Sequence, residues 1–351
     1  MNAARVAFSW YGLPHYAARQ IREAIERLDE RCVVIGSRPA VPVKGMEQAL
    51  RQPIVWIDPG IKVNWADLGL APPKVFIQSG WSYPAIVALG RDARRHGARI
   101  IGMTDANVRG DFRQAVLGPV AFRLLHRSHF DAMIVAGAQG RRVMQMYGMP
   151  DANIREGFYG ADPELFKAGP PLAQRGRTFL FVGRFEPVKN VLGLVDAFLR
   201  FNEQRPGWTL RLCGSGTQRT MIRDHPAIVV EDFVQPLDLP GRYHDARFFV
   251  LPSVREAWGL VVHEAALSGC ALMLSDRVGS GDDLARPSNA LRFRAGDTGA
   301  LVAAFNEAAD CGPEWLAGAE RESLHLAAQF GPRRYADAVE SLVTLCLEDA
   351  R

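Results

Sequence analysis

The chain contains no run of roughly 18–20 apolar residues, the length a membrane-spanning helix needs. It has no low-complexity tract and no internal repeat of 20–50 residues. Its first residues, MNAARVAFSWYGLPHYAARQ, lack a basic stretch followed by a long apolar core, so no secretory leader is expected. Cysteine is scarce: five in 351 residues, at Cys32, Cys213, Cys270, Cys311 and Cys346. They are odd in number, far apart and never spaced C-x-x-C. That argues against a zinc ribbon or thioredoxin-type centre and predicts reduced thiols in a cytoplasmic protein. No D-x-D triplet and no His/Asp/Glu group at ligand spacing is present, so no metal is expected. His126 and His129 lie three apart around Arg127 and Ser128 and read as helix-surface histidines. Excess charge is small: 42 Lys+Arg against 38 Asp+Glu give +4. Its distribution is uneven, +7 over residues 1–170 and −3 over 171–351. The basic half predicts an anionic partner, either an acidic acceptor or peripheral contact with an anionic membrane at its inner face. The charge is too diffuse to predict nucleic acid.

What is present is a globular composition, 48% hydrophobic and 23% charged, which excludes a disordered or collagen-like chain. Short β-rich runs alternate with helical patterns, the mark of parallel sheets built from βαβ units. Strands are predicted at 5–10, 32–36, 53–57, 74–78, 99–103 and 132–136, with helices at 16–28, 84–95 and 139–147. The pattern restarts with strands at 178–183, 209–214, 247–252 and 271–275 and helices at 190–205 and 259–268. It ends in helices at 301–310, 313–329 and 332–347. The Pro-, Gly- and charge-rich stretch 161–177 reads as a linker. The division expected is a first Rossmann-like domain over 1–165, a second over 166–330, and a C-terminal helix over 331–351 that returns to the first. Two open α/β sheets should place their ligands outside the carboxyl ends of the strands, in a cleft where the two sets meet.

Three motifs in the second half carry chemistry. In PSVREAWGLVVHEAALSG (252–269), a strand gives way to a helix near Gly259. The first-turn amides around Trp258, Gly259 and Leu260 have no intrahelical partners, which makes an anion site. Gly259 permits close backbone approach. Glu256 and Glu264 would repel phosphate and suit hydroxyls such as sugar and ribose diols. The bland alternative makes Glu256 a helix-entry carboxylate and Glu264 a solvated one. In FLFVGRFEPVKN (179–190), Arg184 and Lys189 follow a strand, and a guanidinium fork with an ammonium suits a leaving diphosphate. The bland alternative is a surface pair with Glu186. In LRLCGSGTQRTMI (210–222), Gly214 and Gly216 mark a strand-to-helix turn. The third glycine of the dinucleotide fingerprint is missing and no acidic residue is expected to end the next strand, which counts against NAD.

This set, Arg184…Lys189, Gly214-Ser-Gly216, Glu256-Ala-Trp-Gly…Glu264, closed by GSGDDL (279–284), resembles the family 4 (group 1) retaining glycosyltransferases. FYGADPELF (158–166) resembles that family's lead-in to the second domain. The resemblance spans roughly 158–290 and implies the GT-B fold, two Rossmann-like domains with the nucleotide sugar held mainly by the second. It further implies that Arg184 and Lys189 bind the diphosphate, Glu256 contacts donor-sugar hydroxyls, and Ala257, Trp258 and Gly259 line the sugar through backbone amides. Leu260 N–H would meet a phosphate, Glu264 would hold the ribose diol, and Gly214 and Gly216 would border the nucleotide. The sugar would be transferred with retention, on the face the diphosphate leaves, with that phosphate taking the acceptor proton. No cofactor is implied beyond the nucleoside-diphosphate sugar as co-substrate. His263, beside Glu264, reads as structural.

In the first half, three strands end in polar or aromatic clusters: Tyr11-Gly12-Leu-Pro-His15-Tyr16, Ser79-Gly80-Trp81-Ser82-Tyr83, and Thr104-Asp105-Ala-Asn107. Gly12 is a candidate for passing close to the diphosphate. Trp81 and Tyr83 are candidates for stacking on a sugar, with His15, Tyr16 and Asn107 beside them. Asp105 is a candidate for orienting or deprotonating an acceptor hydroxyl. The bland alternatives are a turn, core-edge aromatics and a cap. Many family members carry a glycine pair after the first strand and a histidine near the strand at 99–103. Here a single Gly12 precedes Leu13-Pro14-His15, and Asp105 occupies the second neighbourhood. The function expected is hexosyl transfer from a nucleoside-diphosphate sugar to a hydroxyl of a glycan, lipid-linked or small-molecule acceptor, without metal. The alternative is a nucleotide-sugar-binding protein without turnover.

Overall fold

VAFSW (Val6–Trp10, β1) is buried at every position, because a strand in the middle of a parallel sheet is covered on both faces. In the computed structural model, which describes residues 4–28, 30–40, 43–108 and 111–348, β1 is an interior strand, third in order, of a seven-stranded parallel sheet. The order is β3-β2-β1-β4-β5-β6-β7, with β2 Cys32–Gly36, β3 Val55–Trp56, β4 Val75–Ser79, β5 Arg99–Thr104, β6 Ala132–Val135 and β7 Ile154–Glu156. The helices are α1 (His15–Leu28), α2 (Met46–Leu50), α3 (Pro84–Arg95), α4 (Gly118–Leu125, entered through a π-helical turn at Arg113–Leu117) and α5 (Ala138–Met146). The chain forms two compact units, and this first one ends at Gly160 but regains the chain from Phe330 onward.

The second unit, Ala161–Gln329, holds a six-stranded parallel sheet in the order β10-β9-β8-β11-β12-β13. Its strands are β8 Thr178–Val182, β9 Thr209–Cys213, β10 Ile228–Glu231, β11 Phe248–Leu251, β12 Ala271–Ser275 and β13 Ala290–Phe293. Its helices are α6 (Val191–Gln204), α7 (Leu239–Asp245), α8 (Leu260–Leu267), α9 (Gly281–Leu284), α10 (Thr298–Asp310) and α11 (Pro313–Ala327). The last helix, α12 (Pro332–Glu348), packs on α1 of the first unit, as the returning helix was expected to do. An Arg27–Asp337 ion pair and an Arg334–Glu156 hydrogen bond of 2.6 Å secure it there.

Residues 161–165, read from sequence as the end of the first domain, belong to the second unit. The Ala161 amide donates to Nδ1 of the fully buried His263 at 2.9 Å, and His263 Nε2 donates to the Ala327 carbonyl at 2.9 Å. Burial holds this imidazole neutral, with its pKa pushed down to about 4. One side chain thus fastens both ends of the second unit, which is the structural role expected of it. On the first unit's side the two crossing segments touch: a Cβ at Gly160 would lie 2.3 Å from the Gly331 Cα.

Both sheets reverse strand order next to their first strand, between β1 and β4 and between β8 and β11. Loops leaving the carboxyl ends there diverge and leave a crevice, the ligand position of open α/β sheets.

Candidate functional site

In the second unit the crevice is built by the loops after β8, β9 and β11. The β8 loop passes through Arg184 and a short 3₁₀ turn, Pro187–Lys189, into α6. It is zipped to the β9 loop by Phe185 N–H to Ser215 O (2.8 Å) and Gln218 N–H to Phe185 O (2.9 Å). Gly214 and Gly216 make this approach possible. With φ of +153° and +155°, their missing side chains leave room for the Gly183 and Phe185 carbonyl oxygens, which a Cβ would meet at 1.9 and 2.6 Å. Glu186 turns to Thr217, accepting from its amide (3.2 Å) and hydroxyl (2.8 Å). It therefore forms no hydrogen-bonded pair with Arg184, which stands exposed.

The β11 loop is tied to the β8 loop by Val254 N–H to Val188 O at 2.9 Å. This brings Glu256 to Lys189: Lys189 Nζ donates to Glu256 Oε2, which also accepts from Ser253 Oγ at 3.2 Å. The Glu256 backbone bridges to Val278, through Glu256 N–H to Arg277 O (3.1 Å) and Gly279 N–H to Glu256 O (3.2 Å). Gly279 is obligatory there, since a Cβ would lie 1.9 Å from the Ala257 carbonyl oxygen. Trp258 turns its indole inward to donate to Asp283 Oδ2 at 2.8 Å. The GSGDDL segment is therefore the floor beneath the Glu256–Trp258 loop, and Trp258 can offer a ligand its backbone only. Gly259, in the left-handed region at φ +89°, turns the chain into α8, so that Leu260 opens the helix.

Glu264, in the second turn of α8, is buried rather than solvated, with 8% exposure. It accepts a 2.7 Å hydrogen bond from the buried Tyr243 hydroxyl on α7. Burial pushes its pKa up to about 7 against the opposing effect of that bond. Tyr243 was missed from sequence, because it lies on a seven-residue helix far along the chain.

Contrary to the expectation from sequence, an acid does end the strand that follows the glycine pair. The strand after Gly214-Ser-Gly216 is β10, and it ends in an acid, Glu231, paired in register with Cys213. That carboxylate is held by Arg211 at 2.6 Å and Arg242 at 2.8 Å. The glycine pair follows the unit's second strand rather than its first, and the third glycine is still missing.

In the first unit a pocket of about 260 Å³ opens at the carboxyl ends of β1, β4 and β5. Trp81, Tyr83 and Asp105 line it, with Trp10, Tyr11, Ser79, Ser82, Thr104, Phe158 and Tyr159. Tyr159 O–H donates to Asp105 Oδ2 at 2.9 Å, and Tyr83 stacks on Tyr11 with ring centroids 3.6 Å apart. Trp81 also packs on Phe122 and Phe130, at 5.6 and 6.0 Å, so it stands at the edge of the core. Gly12, His15, Tyr16 and Asn107 do not line the pocket. The Gly12 amide donates to Ser37 Oγ at 2.7 Å. Tyr16 meets Trp10 and Tyr159 edge-on, and the Asn107 carbonyl accepts from Gln114 Nε2 at 2.7 Å. Tyr159 was missed as a pocket residue, because it follows the edge strand β7 and reaches Asp105 across the sheet top. Among the described residues no group of three or more His, Cys, Asp or Glu is placed to hold a metal ion.

Comparison with known proteins decides what the second crevice belongs to. Residues 176–310 match the family described as "Glycosyl transferases group 1". Over these residues the second unit is similar to the group 1 glycosyl transferases. The chain is 28% identical over 261 residues to glycogen synthase of Mycobacterium tuberculosis, covering 71% of this chain and 60% of that protein. It thus spans less than two thirds of that relative's length. It is 30% identical over 169 residues to D-inositol 3-phosphate glycosyltransferase of Nocardia farcinica, covering 42% of this chain and 38% of that one. Among solved structures, Anabaena Alr3699/HepE in complex with UDP and glucose superposes with a TM-score of 0.74 at 16% identity, over 97% of this chain and 99% of that one. The fold is therefore GT-B, as expected. The donor-side candidates of the second unit, from Arg184 to Glu264, lie within the stretch matched to the transferase family, whereas Gly12 and the first unit's pocket lie outside it.

Proposed function

We propose that the protein transfers a hexosyl group from a nucleoside-diphosphate sugar to an acceptor hydroxyl, with retention and without metal. The observation that carries this reading is the meeting of Lys189 with Glu256 at the point where the second sheet reverses strand order. A cation suited to a diphosphate and a carboxylate suited to sugar hydroxyls stand side by side there. Arg184 and Lys189 neutralise the leaving diphosphate, the entry to α8 receives a phosphate, and Glu264 takes the ribose diol. UDP is the first nucleotide to try, given the UDP held by the Anabaena structure. The acceptor is a hydroxyl of a glycan, a lipid-linked saccharide or a small molecule, placed in the first unit's pocket with Asp105 orienting it.

A thermal-shift panel of UDP, GDP, ADP and their sugars in EDTA, with NAD as control, tests the donor reading. Stabilisation by one nucleoside diphosphate is expected; a shift from NAD alone would overturn it. With a turnover assay, Asp105→Asn should lower kcat by about 10²-fold or more, the scale of general acid–base help, and leave nucleotide binding unchanged. Wild-type turnover in that variant would remove Asp105 from the chemistry.

Glu264 adds a pH signature. Its pKa of about 7 means the carboxylate is mostly protonated at pH 6 and mostly ionised at pH 8. Ribose hydroxyls donate to the ionised form, so nucleoside diphosphate affinity should rise about tenfold between those values. Glu264→Gln should retain only the dependence due to the diphosphate's own titration. Parallel curves for the two proteins by calorimetry would contradict the ribose role.

A further inference from the structure

The stretch 112–130, FRQAVLGPVAFRLLHRSHF, contains three arginines and two histidines and no acid. Its first fourteen residues run as one continuous helical segment through the π-turn and α4, roughly 20 Å long at the α-helical rise. The inward side is fixed: Gln114, Pro119 and Phe122 are buried, and Phe122 packs on Trp81 and Tyr147. Gly118 lets the helix sit down on Tyr147, whose hydroxyl a Cβ would meet at 2.4 Å. The outward side should then be polar, and it is the reverse. Phe112 is 72% exposed, Val116 45%, Leu117 54%, Val120 51%, Leu124 77% and Leu125 69%. Phe112, Val116, Val120 and Leu124 recur every fourth residue and form one stripe. Arg113 and Arg123 are exposed beside it, and Arg91 of α3 lies close enough to bear on His126 at its carboxyl end. A contiguous exposed apolar stripe on a folded unit marks a contact surface.

We propose that this face lies in the headgroup region of an anionic phospholipid bilayer, its stripe in the acyl boundary and its arginines on the lipid phosphates. Charge complementarity selects that occupant. A second copy docking the same patch would set Arg113 and Arg123 against their own equivalents, and no acid in the stretch would offset them. No helix among the described residues is long and apolar enough to cross a membrane, so contact of this kind is interfacial. Through Phe122 the helix is seated against Trp81, a wall of the first unit's pocket. The membrane would thus lie beside the place where an acceptor enters. Lipid binding needs no nucleotide, so this inference can fail while the transfer reading stands, and the reverse.

The test is co-sedimentation of the full-length protein with vesicles of phosphatidylcholine alone or mixed with phosphatidylglycerol. Preference for the anionic vesicles is expected, falling as salt shortens the screening length. Each arginine near the surface is worth about a fivefold gain in partitioning, so Arg113→Glu with Arg123→Glu should lose at least about 25-fold. Leu124→Ser with Leu125→Ser should lose about tenfold or more, and keep the wild-type melting temperature because both side chains are exposed. Equal partitioning onto both vesicle types, no binding at low salt, or wild-type binding by the leucine variant would overturn the proposal. So would a dimer in sedimentation velocity that the leucine variant dissociates, which would assign the face to a second copy.

Discussion

Arg184→Ala and Lys189→Ala should each weaken nucleoside diphosphate binding by roughly 10- to 150-fold. Each removes a charged hydrogen-bond donor, worth about 1.5–3 kcal/mol. The two losses should differ in kind. Arg184 is exposed, and the nearby Glu186 carboxylate is hydrogen-bonded to Thr217 rather than to the guanidinium, so the fork can turn to a phosphate. Lys189 already spends one of its three donors on Glu256, and its removal takes the cation from a carboxylate that is only 12% exposed. Lys189→Ala should therefore lower the melting temperature as well as the affinity, and Arg184→Ala should lower affinity alone. Calorimetric titration of UDP and GDP with a melting curve on each variant reads both effects. Unchanged affinity in both variants would mean the diphosphate lies elsewhere. Lys189→Ala with Glu256→Gln should regain part of the stability and none of the affinity, because the uncompensated negative charge is gone but the cation is still missing.

Gly214→Ala should do the greater structural damage. Its Cβ would lie 1.9 Å from the Gly183 carbonyl oxygen at φ +153°, so backbone rather than a flexible side chain must move. Displacement of that size costs about 3 kcal/mol or more, and for a unit of this length it should lower Tm by roughly 6–12 °C. The strain falls where the β8 and β9 loops are zipped together, so Arg184 and Lys189 move with it. Donor affinity should drop even at temperatures where the variant is folded. A Gly214→Ala protein with wild-type melting and wild-type nucleotide affinity would show that the two loops do not depend on each other. Gly216→Ala, at 2.6 Å from the Phe185 oxygen, should follow the same pattern less severely.

How much of this was legible in the sequence follows from burial. CVVIG, AMIV and ALMLS announce themselves because strands inside a parallel sheet are apolar on both faces. The edge strands β7, β10 and β13 did not, because IRE, IVVE and ALRF mix polar and apolar positions over three or four residues. That omission had a cost. With β10 unseen, Glu231 was not placed at a strand end, and an argument against NAD rested on its absence. The loops proposed to hold the donor could be placed from sequence because the signals are local: Arg184, Lys189 and the Glu256–Leu260 turn each sit within a few residues of a strand end. Glu264 needed tertiary information, since only the packing of α7 on α8 supplies Tyr243 and removes the water. Trp81 and Tyr83 could be placed on the right side of the sheet. Sequence alone could not show that Trp81 leans on Phe122 or that Tyr83 is covered by Tyr11. The exposed helix face was invisible for another reason: FRQAVLGPVAFRLL carries apolar residues on both its inward and its outward side, so the pattern does not say which side is left bare.

The pairing of His263 with Ala161 and Ala327 bears on the order in which the protein assembles. The first unit's chain is interrupted by the whole second unit before α12 can return to α1. Closing so long a loop on an unstructured chain is entropically costly, and the contact between α1 and α12 gives no return until it is closed. If the second unit forms first, its buried imidazole already holds the two ends side by side. The remaining chain then experiences a short connection where a very long one is written. The later-synthesised unit thus becomes the template on which the earlier one completes itself, and the amino-terminal sheet waits for its final helix until that has happened.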